Sequence, residues 1–171
     1  MHLPAIDPLL AALVASTRKR LAEHNIADPR IVGIHSGGVW LAQYLSEALG
    51  LSETIGELDI SFYRDDFTRV GMHPTVRPSR IPWDVEGRHL LLVDDVLYTG
   101  RTIRAALNEI FDYGRPASVT LAVLVSRNGR ELPIEAGAIG ARLVLPPDQQ
   151  IKLRGPAPLH LELVEQPSRH P

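Results

Sequence analysis

Residues 93–102 contain the side chains best suited to chemistry. Two adjacent carboxylates, Asp94 and Asp95, come directly after an apolar run that predicts a strand buried on both faces. Two hydroxyls, a glycine and an arginine follow and lead into a predicted helix: Thr99, Gly100, Arg101 and Thr102. Backbone N–H groups at a helix N-terminus, hydroxyls and the helix dipole together predict a site for one phosphate group.

The combination of carboxylates with a phosphate site predicts a sugar phosphate as the ligand. Two carboxylates repel a phosphate unless they contact hydroxyl groups or a cation. Asp94 and Asp95 are able to accept hydrogen bonds from ribose hydroxyls, and the diol together with a pyrophosphate can chelate Mg²⁺. The alternative is that the acids are solvated residues at a strand end and that Thr99 only caps a helix.

The elements that position this segment follow from hydrophobic periodicity. Asp7 followed by Pro8 indicates an N-cap and a first-turn proline, in a helix that ends at about residue 23 or 24. Buried strands are predicted at 30–34, 89–93 and 119–125, helices at 39–49 and 102–113, a strand with one wet face at 55–63, and short edge strands at 143–145 and 159–163. The β-α-β-α-β order predicts an α/β doubly wound fold, in which ligands bind beyond the carboxyl ends of the strands.

A glycine loop follows the first predicted strand and consists of His35, Ser36, Gly37 and Gly38. Its glycines suit a backbone that turns sharply so that its N–H groups face an anion. His35 is either a substrate contact or a local hydrogen-bonding group.

Residues 64–82 carry four arginines and three prolines with little apolar periodicity, so we expect a flexible loop. A segment of this length is longer than most loops that only connect two elements, so we expect it to have a function. We expect it to close over the site and exclude water, with Arg64 and Arg69 stabilising an anionic leaving group. Arg69 is otherwise a surface charge.

Composition bounds the class of protein. The chain has 171 residues, 44% of them apolar, and no cysteine, so we expect one domain over residues 1–171 without disulfides. The tail, about residues 165–171, should be poorly ordered. Without a leader peptide or membrane-spanning run, we expect a cytoplasmic protein with no membrane partner. The net charge of −2 argues against a general basic field for nucleic acid.

The string from Asp94 to Thr102 resembles the signature for 5-phosphoribosyl 1-pyrophosphate (PRPP) in the type I phosphoribosyltransferases. Over about residues 30–140 the chain is similar to one branch, the pyrimidine operon regulators with uracil phosphoribosyltransferase activity. The other matching strings are Val32-Gly33-Ile34, Tyr63-Arg64-Asp65-Asp66, Gly114-Arg115-Pro116, Leu121-Ala122-Val123-Leu124-Val125 and Arg130-Glu131-Leu132-Pro133-Ile134. The resemblance implies a type I phosphoribosyltransferase fold, with a central, mostly parallel, twisted sheet flanked by helices, a small hood and a flexible loop.

The resemblance also implies an activity and its residues. The activity is conversion of uracil and PRPP to UMP and pyrophosphate, with Mg²⁺ bound through PRPP near the two acids, and we expect a homodimer. The implied PRPP-binding residues are Val93, Asp94, Asp95, Val96, Leu97, Tyr98, Thr99, Gly100, Arg101 and Thr102. The implied catalytic residues are Asp94, Asp95 and Arg64, and the pyrophosphate loop is His35, Ser36, Gly37 and Gly38. The implied base-binding residues, in a hood at about 126–134, are Val125, Arg127, Arg130 and Ile134.

Tyr98 favours a pyrimidine substrate. Purine-salvage members often carry an acid immediately before the Thr-Gly pair, where it serves N7 of the purine. A purine phosphoribosyltransferase remains an alternative, because some purine members also lack this acid.

The chain departs from the family pattern at the pyrophosphate loop and on the RNA-binding face. The loop usually carries an arginine, which is absent from Ser36-Gly37-Gly38, so either an arginine of residues 64–80 replaces it or pyrophosphate is held less well. Family members also bind messenger RNA, and an RNA-binding regulator that senses uridine nucleotides with little catalysis is the alternative function. An apolar stripe at residues 9–15, which is core or dimer interface, and Glu135 in place of an arginine disfavour RNA binding. A residual basic patch would consist of Arg18, Arg20 and Arg130.

Overall fold

The computed structural model describes residues 2–60 and 79–166. In these ranges the helices are α1 (Ile6–Glu23), α2 (Gly37–Ala48) and α3 (Arg101–Tyr113). The strands are β1 (Arg30–Ile34), β2 (Gly56–Leu58), β3 (His89–Leu97), β4 (Ser118–Arg127), β5 (Ala138–Leu143), β6 (Gln149–Arg154) and β7 (His160–Glu165). Arg64, Arg69 and residues 167–171 of the predicted tail lie outside the described residues.

The strands of the described ranges form two sheets. β2, β1, β3, β4 and β5 pair in that order, and every pair is parallel. The predicted α/β class with a central parallel sheet is therefore confirmed. β6 and β7 form a separate antiparallel pair, and β7 corresponds to the short edge strand predicted at 159–163. The edge strand predicted at 143–145 overlaps β5 at Leu143, which is the last residue of β5.

The sheet is covered on both faces, because alternate side chains of β3 point to opposite sides. Leu91 and Val93 pack in the cluster that contains buried leucines of α1 and α2. Leu90 and Leu92 pack in the other cluster, with α3. The apolar stripe of α1 is core within a single chain, where Leu13 has no exposed surface.

The central strand β3 is longer than predicted. Asp94 pairs with Val123 of β4, and the ladder continues as far as Leu97, which pairs with Ser126. The two acids were predicted to end the strand because carboxylates are unfavourable in a buried sheet. They are tolerated here because this end of the sheet opens onto a cavity.

The start of α2 also differs from the prediction, since Gly37 and Gly38 are its first two residues instead of a loop. A Cβ on Gly37 would lie 2.7 Å from Oδ2 of Asp95, and one on Gly38 would lie 2.5 Å from the carbonyl oxygen of Val93. The glycines therefore allow the helix to approach β3 closely.

At the N-terminus, α1 begins at Ile6 with Ala5 as its N-cap and no side-chain cap bond. Asp7 was predicted as the N-cap but lies in the first turn, where its negative charge still interacts favourably with the helix dipole. Within residues 2–60 and 79–166, no helix is both long and apolar enough to cross a membrane.

Candidate active site

A cleft of about 550 Å³ opens where β1 and β3 approach their carboxyl ends. One wall consists of the N-terminus of α2, the end of β3 and the start of α3. The other wall consists of β6, the turn that follows it and the start of β7, which we call the hood (residues 149–165). The cleft therefore lies where ligands bind in open α/β sheets.

The two acids lie on the first wall. Asp94 is buried, with 3% of its surface exposed, and Asp95 is half-buried. Oδ1 of Asp95 accepts a hydrogen bond from the backbone N–H of Val96 at 2.9 Å. Because an ionised carboxylate has about four lone-pair sites, this bond leaves Asp95 capacity for ligand hydroxyls.

The turn between β3 and α3 has the geometry of an anion site. Gly100 is the N-cap of α3 with φ of +94°, a left-handed conformation that favours glycine. Oγ1 of Thr99 accepts a hydrogen bond from the N–H of Arg101 at 3.2 Å. This bond uses the N–H of Arg101, and the N–H groups that follow it in α3 lie at the helix end where anions bind.

The ten predicted PRPP-binding residues divide into two groups. Those that line the cleft are Asp94, Asp95, Val96, Tyr98 and Thr102. The others support them: Val93 and Leu97 are buried on opposite faces of the sheet, and Thr99 and Gly100 form the turn. The guanidinium of Arg101 pairs with Glu131 at 2.8 Å, away from the cleft lining.

The predicted pyrophosphate loop is partly in the cleft. Ser36 and Gly37 line it, while Gly38 packs beneath β3. Nε2 of His35 lies 3.2 Å from Oε1 of Glu57, so the ring is engaged by β2 and does not line the cleft. The peptide bond between His35 and Ser36 is cis.

Of the predicted flexible loop, residues 79–82 are described, and Arg64 lies outside the described residues. The backbone of Arg80 exchanges two hydrogen bonds of 2.8 Å with Glu57. Nη2 of Arg80 also lies 2.7 Å from Oε2 of Glu57. The chain therefore rejoins the fold beside β2.

The predicted base-binding residues are not brought together. Arg127 lines the cleft, whereas Val125 is buried in the core. Ile134 packs on the α3 side of the sheet, with its Cβ 3.4 Å from where a Cβ of Gly100 would lie. Arg130 is held by the carbonyl oxygen of Tyr98 and by Oγ of Ser126, the latter at 3.1 Å.

The hood was predicted at residues 126–134, but β6 and β7 form the wall that faces the acids. Its side chains contribute the basic groups Lys152, Arg154 and His160. The sequence signal for β6 is the alternation around Ile151 and Leu153, which are 5% and 6% exposed and pack on the core. β6 has six residues and lies between proline-rich turns, and this pattern was too short to be recognised as a strand.

Trp40 of α2 is a further cleft residue that the sequence analysis missed. A Cβ on Gly155, in the hood turn, would lie 3.1 Å from Cε3 of Trp40. The indole therefore packs against the hood and joins it to the helix that starts at the pyrophosphate loop.

A comparison with known families decides what this arrangement is. The family model described as phosphoribosyl transferase domain matches residues 5–151. The chain belongs to the phosphoribosyltransferase family. The cleft with its two acids and the turn at Thr99 and Gly100 is therefore the candidate active site of a phosphoribosyltransferase domain.

Close relatives within the family carry one name. Bifunctional protein PyrR of Pseudomonas paraeruginosa is 59% identical over 162 residues, which cover 95% of both chains. Bifunctional protein PyrR of Nitrosococcus oceani is 57% identical over 160 residues, which cover 92% of this chain and 90% of that protein. The branch of the family indicated by the sequence motifs is therefore confirmed.

Solved structures of phosphoribosyltransferases share the fold. A hypoxanthine-guanine-xanthine phosphoribosyltransferase superposes with a TM-score of 0.62 and 16% identity, covering 84% of this chain and 79% of that one. The Trypanosoma cruzi hypoxanthine phosphoribosyl transferase gives a TM-score of 0.66 and 20% identity, covering 85% and 78%. At these identities the likeness concerns the fold alone, and it confirms the predicted type I phosphoribosyltransferase fold.

Proposed function

We propose that the protein transfers ribose 5-phosphate from PRPP to uracil, with UMP and pyrophosphate as products. The observation that carries the proposal is one cleft lined by two carboxylates and the first turn of α3 on one side and by basic side chains of the hood on the other. This arrangement suits a ligand with a phosphate at one end, a diol in the middle and an anionic leaving group.

The first wall is assigned to the ribose phosphate. The N-terminus of α3 binds the 5-phosphate, and Asp94 and Asp95 accept hydrogen bonds from the ribose hydroxyls. During transfer, N1 of uracil bonds to C1 of the ribose, the bond from C1 to the pyrophosphate oxygen breaks, and the N1 proton is lost. The carboxylates also stabilise the positive charge that develops on the ribose ring.

Magnesium is assigned as a partner of PRPP. Among residues 2–60 and 79–166 there is no cluster of three or more His, Cys, Asp or Glu side chains able to hold a metal ion. A pair of carboxylates fits a cation that takes its remaining oxygens from the diol, the pyrophosphate and water, as Mg²⁺ commonly does. When bound, Mg²⁺ neutralises charge on the leaving pyrophosphate.

The base is assigned to the hood side of the cleft. Tyr98 lines the cleft where an acid would serve a purine, which supports a pyrimidine. The edge of uracil offers donors and acceptors that backbone groups can match. Arg64, which lies outside the described residues, is proposed to stabilise the leaving pyrophosphate.

The test is an assay with a panel of nucleobases. The purified protein is incubated with PRPP, Mg²⁺ and uracil, hypoxanthine, guanine or adenine in separate reactions, and nucleotide products are separated by chromatography. We expect UMP with uracil and none when PRPP is omitted. Formation of a purine nucleotide without UMP would contradict the proposal.

The alternative function is an RNA-binding regulator that senses uridine nucleotides, and the word bifunctional in the relatives' names favours a second role. Against it, the guanidinium of Arg130 is directed inward to Ser126 and Tyr98 and pairs with Glu135 at 3.3 Å. Glu135 therefore partly neutralises the charge of Arg130, which makes Arg130 a weaker contact for an RNA phosphate. We expect no gel shift of pyrimidine operon leader RNA at low salt, and a UMP-dependent shift would favour the regulator.

A further inference from the structure

Tyr98 and Arg127 meet at the boundary between the two walls of the cleft. The guanidinium carbon of Arg127 lies 4.1 Å from the centre of the Tyr98 ring, within range of a cation–π interaction. Both residues line the cleft, and only 4% of the surface of Arg127 is exposed. The contact is therefore largely removed from water. Cation–π interactions are strongest when they are desolvated in this way.

The guanidinium is fixed by backbone carbonyls that lead into the hood. Nη1 donates to the carbonyl of Gln149, the first residue of β6, at 2.6 Å. Nη2 donates to the carbonyl of Pro146 at 3.3 Å, and Nε donates to that of Asn128 at 3.3 Å. Burial lowers the pKa of Arg127, partly opposed by Tyr98, yet a guanidinium stays protonated. A buried charge of this kind holds its partners firmly, because losing them would leave it unpaired.

The Tyr98 ring is confined on its other side as well. A Cβ on Gly129 would lie 2.4 Å from Cε2 of the ring, so glycine is needed there for the ring to fit. The carbonyl of Tyr98 accepts a hydrogen bond from Arg130. The next residue, Thr99, begins the phosphate-binding turn, so the ring position and the turn are fixed together.

We infer that Arg127 is a positioning residue that couples the phosphate-binding turn to the hood through the ring of Tyr98. The inference rests on the proposed function, since it takes PRPP as the ligand of the turn. Ligand that orders the turn also orders the Tyr98 ring, and Arg127 passes this constraint to the segment at 145–149 that carries β6. Binding of PRPP therefore prepares the base side of the cleft.

The test is hydrogen exchange measured by mass spectrometry with and without PRPP and Mg²⁺. In the wild type we expect PRPP to slow exchange both in the turn, residues 99–104, and in β6. In R127K, which keeps the charge but loses the planar fork, slowing in the turn persists while slowing in β6 falls about tenfold. A matched control, R104K on the exposed face of α3, behaves as the wild type.

Variants of Tyr98 make the result independent of the folding of R127K. Y98F keeps the ring, so PRPP should still protect β6. Y98L removes the ring but leaves the hydrogen bonds of Arg127 in place, so protection of β6 by PRPP should be lost. R127K and Y98L raise KM for uracil at saturating PRPP about tenfold, while the dissociation constant of PRPP measured without uracil stays within about twofold. The double variant R127K/Y98L should be no worse than either single variant, because both remove one coupling.

Different outcomes overturn different claims. If PRPP fails to slow exchange in the wild-type turn, the proposed function is wrong. Two outcomes with a protected turn would show that only the coupling is wrong. In the first, PRPP protects β6 in R127K and Y98L as strongly as in the wild type. In the second, PRPP does not protect β6 even in the wild type. A roughly tenfold loss of PRPP affinity in the absence of uracil would also contradict the coupling, since it indicates a merely structural role for Arg127.

Discussion

The two walls of the cleft differ in how the chain builds them. The acid wall is nearly contiguous, because Asp94, Asp95, Tyr98 and Thr102 follow one another along β3 and into α3. The hood wall comes from β6 and β7, and is joined to the rest of the cleft by Trp40. Chemistry that depends on one strand-to-helix turn is visible in the sequence, whereas a wall built by a distant hairpin depends on tertiary packing.

The comparison also separates two roles. The acid wall faces the part of the proposed reaction common to all PRPP-dependent transfers, and the hood wall faces the part that differs from base to base. Changes on the acid wall should therefore lower kcat/KM for PRPP whichever base is used. Changes on the hood wall should alter affinity for the base and have smaller effects.

The largest effect is expected from D95N. Asparagine keeps the Oδ1 acceptor that the N–H of Val96 uses, but removes the charge that we propose binds ribose hydroxyls beside Mg²⁺. A hydrogen bond to a charged group contributes about 1.5–3 kcal/mol, so we expect kcat/KM for PRPP to fall about 10- to 100-fold. Initial rates at varied PRPP check this, with circular dichroism as the folding control. An unchanged rate would remove Asp95 from the mechanism.

A second, smaller effect is expected from G100A at the phosphate turn. Alanine at φ of +94° is strained by about 1–3 kcal/mol, and its Cβ would meet Ile134 at 3.4 Å. The turn relaxes away from the phosphate-binding geometry, so KM for PRPP rises about fivefold and stability in urea falls by a similar strain energy.

The matched control for this prediction is G50A. Gly50 has φ of +68° beyond the end of α2, with no atom within 4 Å of where its Cβ would lie. Alanine there costs stability through the same backbone conformation but lies away from the cleft lining. If G50A and G100A raise KM for PRPP equally, the effect of G100A reflects general destabilisation and not the turn.

The fold was largely predictable because its signals are local and strong. Residues 89–93 and 119–125 are apolar runs long enough to indicate buried parallel strands, and glycines mark the ends of the intervening helices. The ends were less predictable. β3 extends through the two acids because its neighbour β4 continues the ladder, and no local pattern in the sequence contains that information.

Of the cleft lining, residues of the acid wall and Arg127 were anticipated from the sequence, and the hood was not. His35 was a candidate contact, but the sequence gives no sign that Glu57, 22 positions later, lies beside its ring. Arg130 and Ile134 were assigned to the base because their string matched the family, yet they support the turn from behind. The hood was missed because a six-residue alternating strand gains meaning only when its apolar side meets the core.

The smallest effect, and the one that sharpens the comparison most, is expected from the two tryptophans of the chain. Trp40 packs on the hood turn and lines the cleft, whereas Trp83 donates from Nε1 to the carbonyl of Thr54 at 2.8 Å, on the α3 side of the sheet. W40F keeps part of the packing, so KM for uracil should rise about threefold with KM for PRPP unchanged. W83F should leave both unchanged.

Fluorescence gives the same comparison without turnover. With Trp40 as the remaining indole in W83F, titration with UMP should change the emission, because the ligand enters the cleft that Trp40 lines. In W40F, where Trp83 remains, UMP should leave the emission unchanged. A response carried by Trp83 instead would place the nucleotide on the far face of the sheet. The division of the cleft into an acid wall and a hood wall would then be wrong.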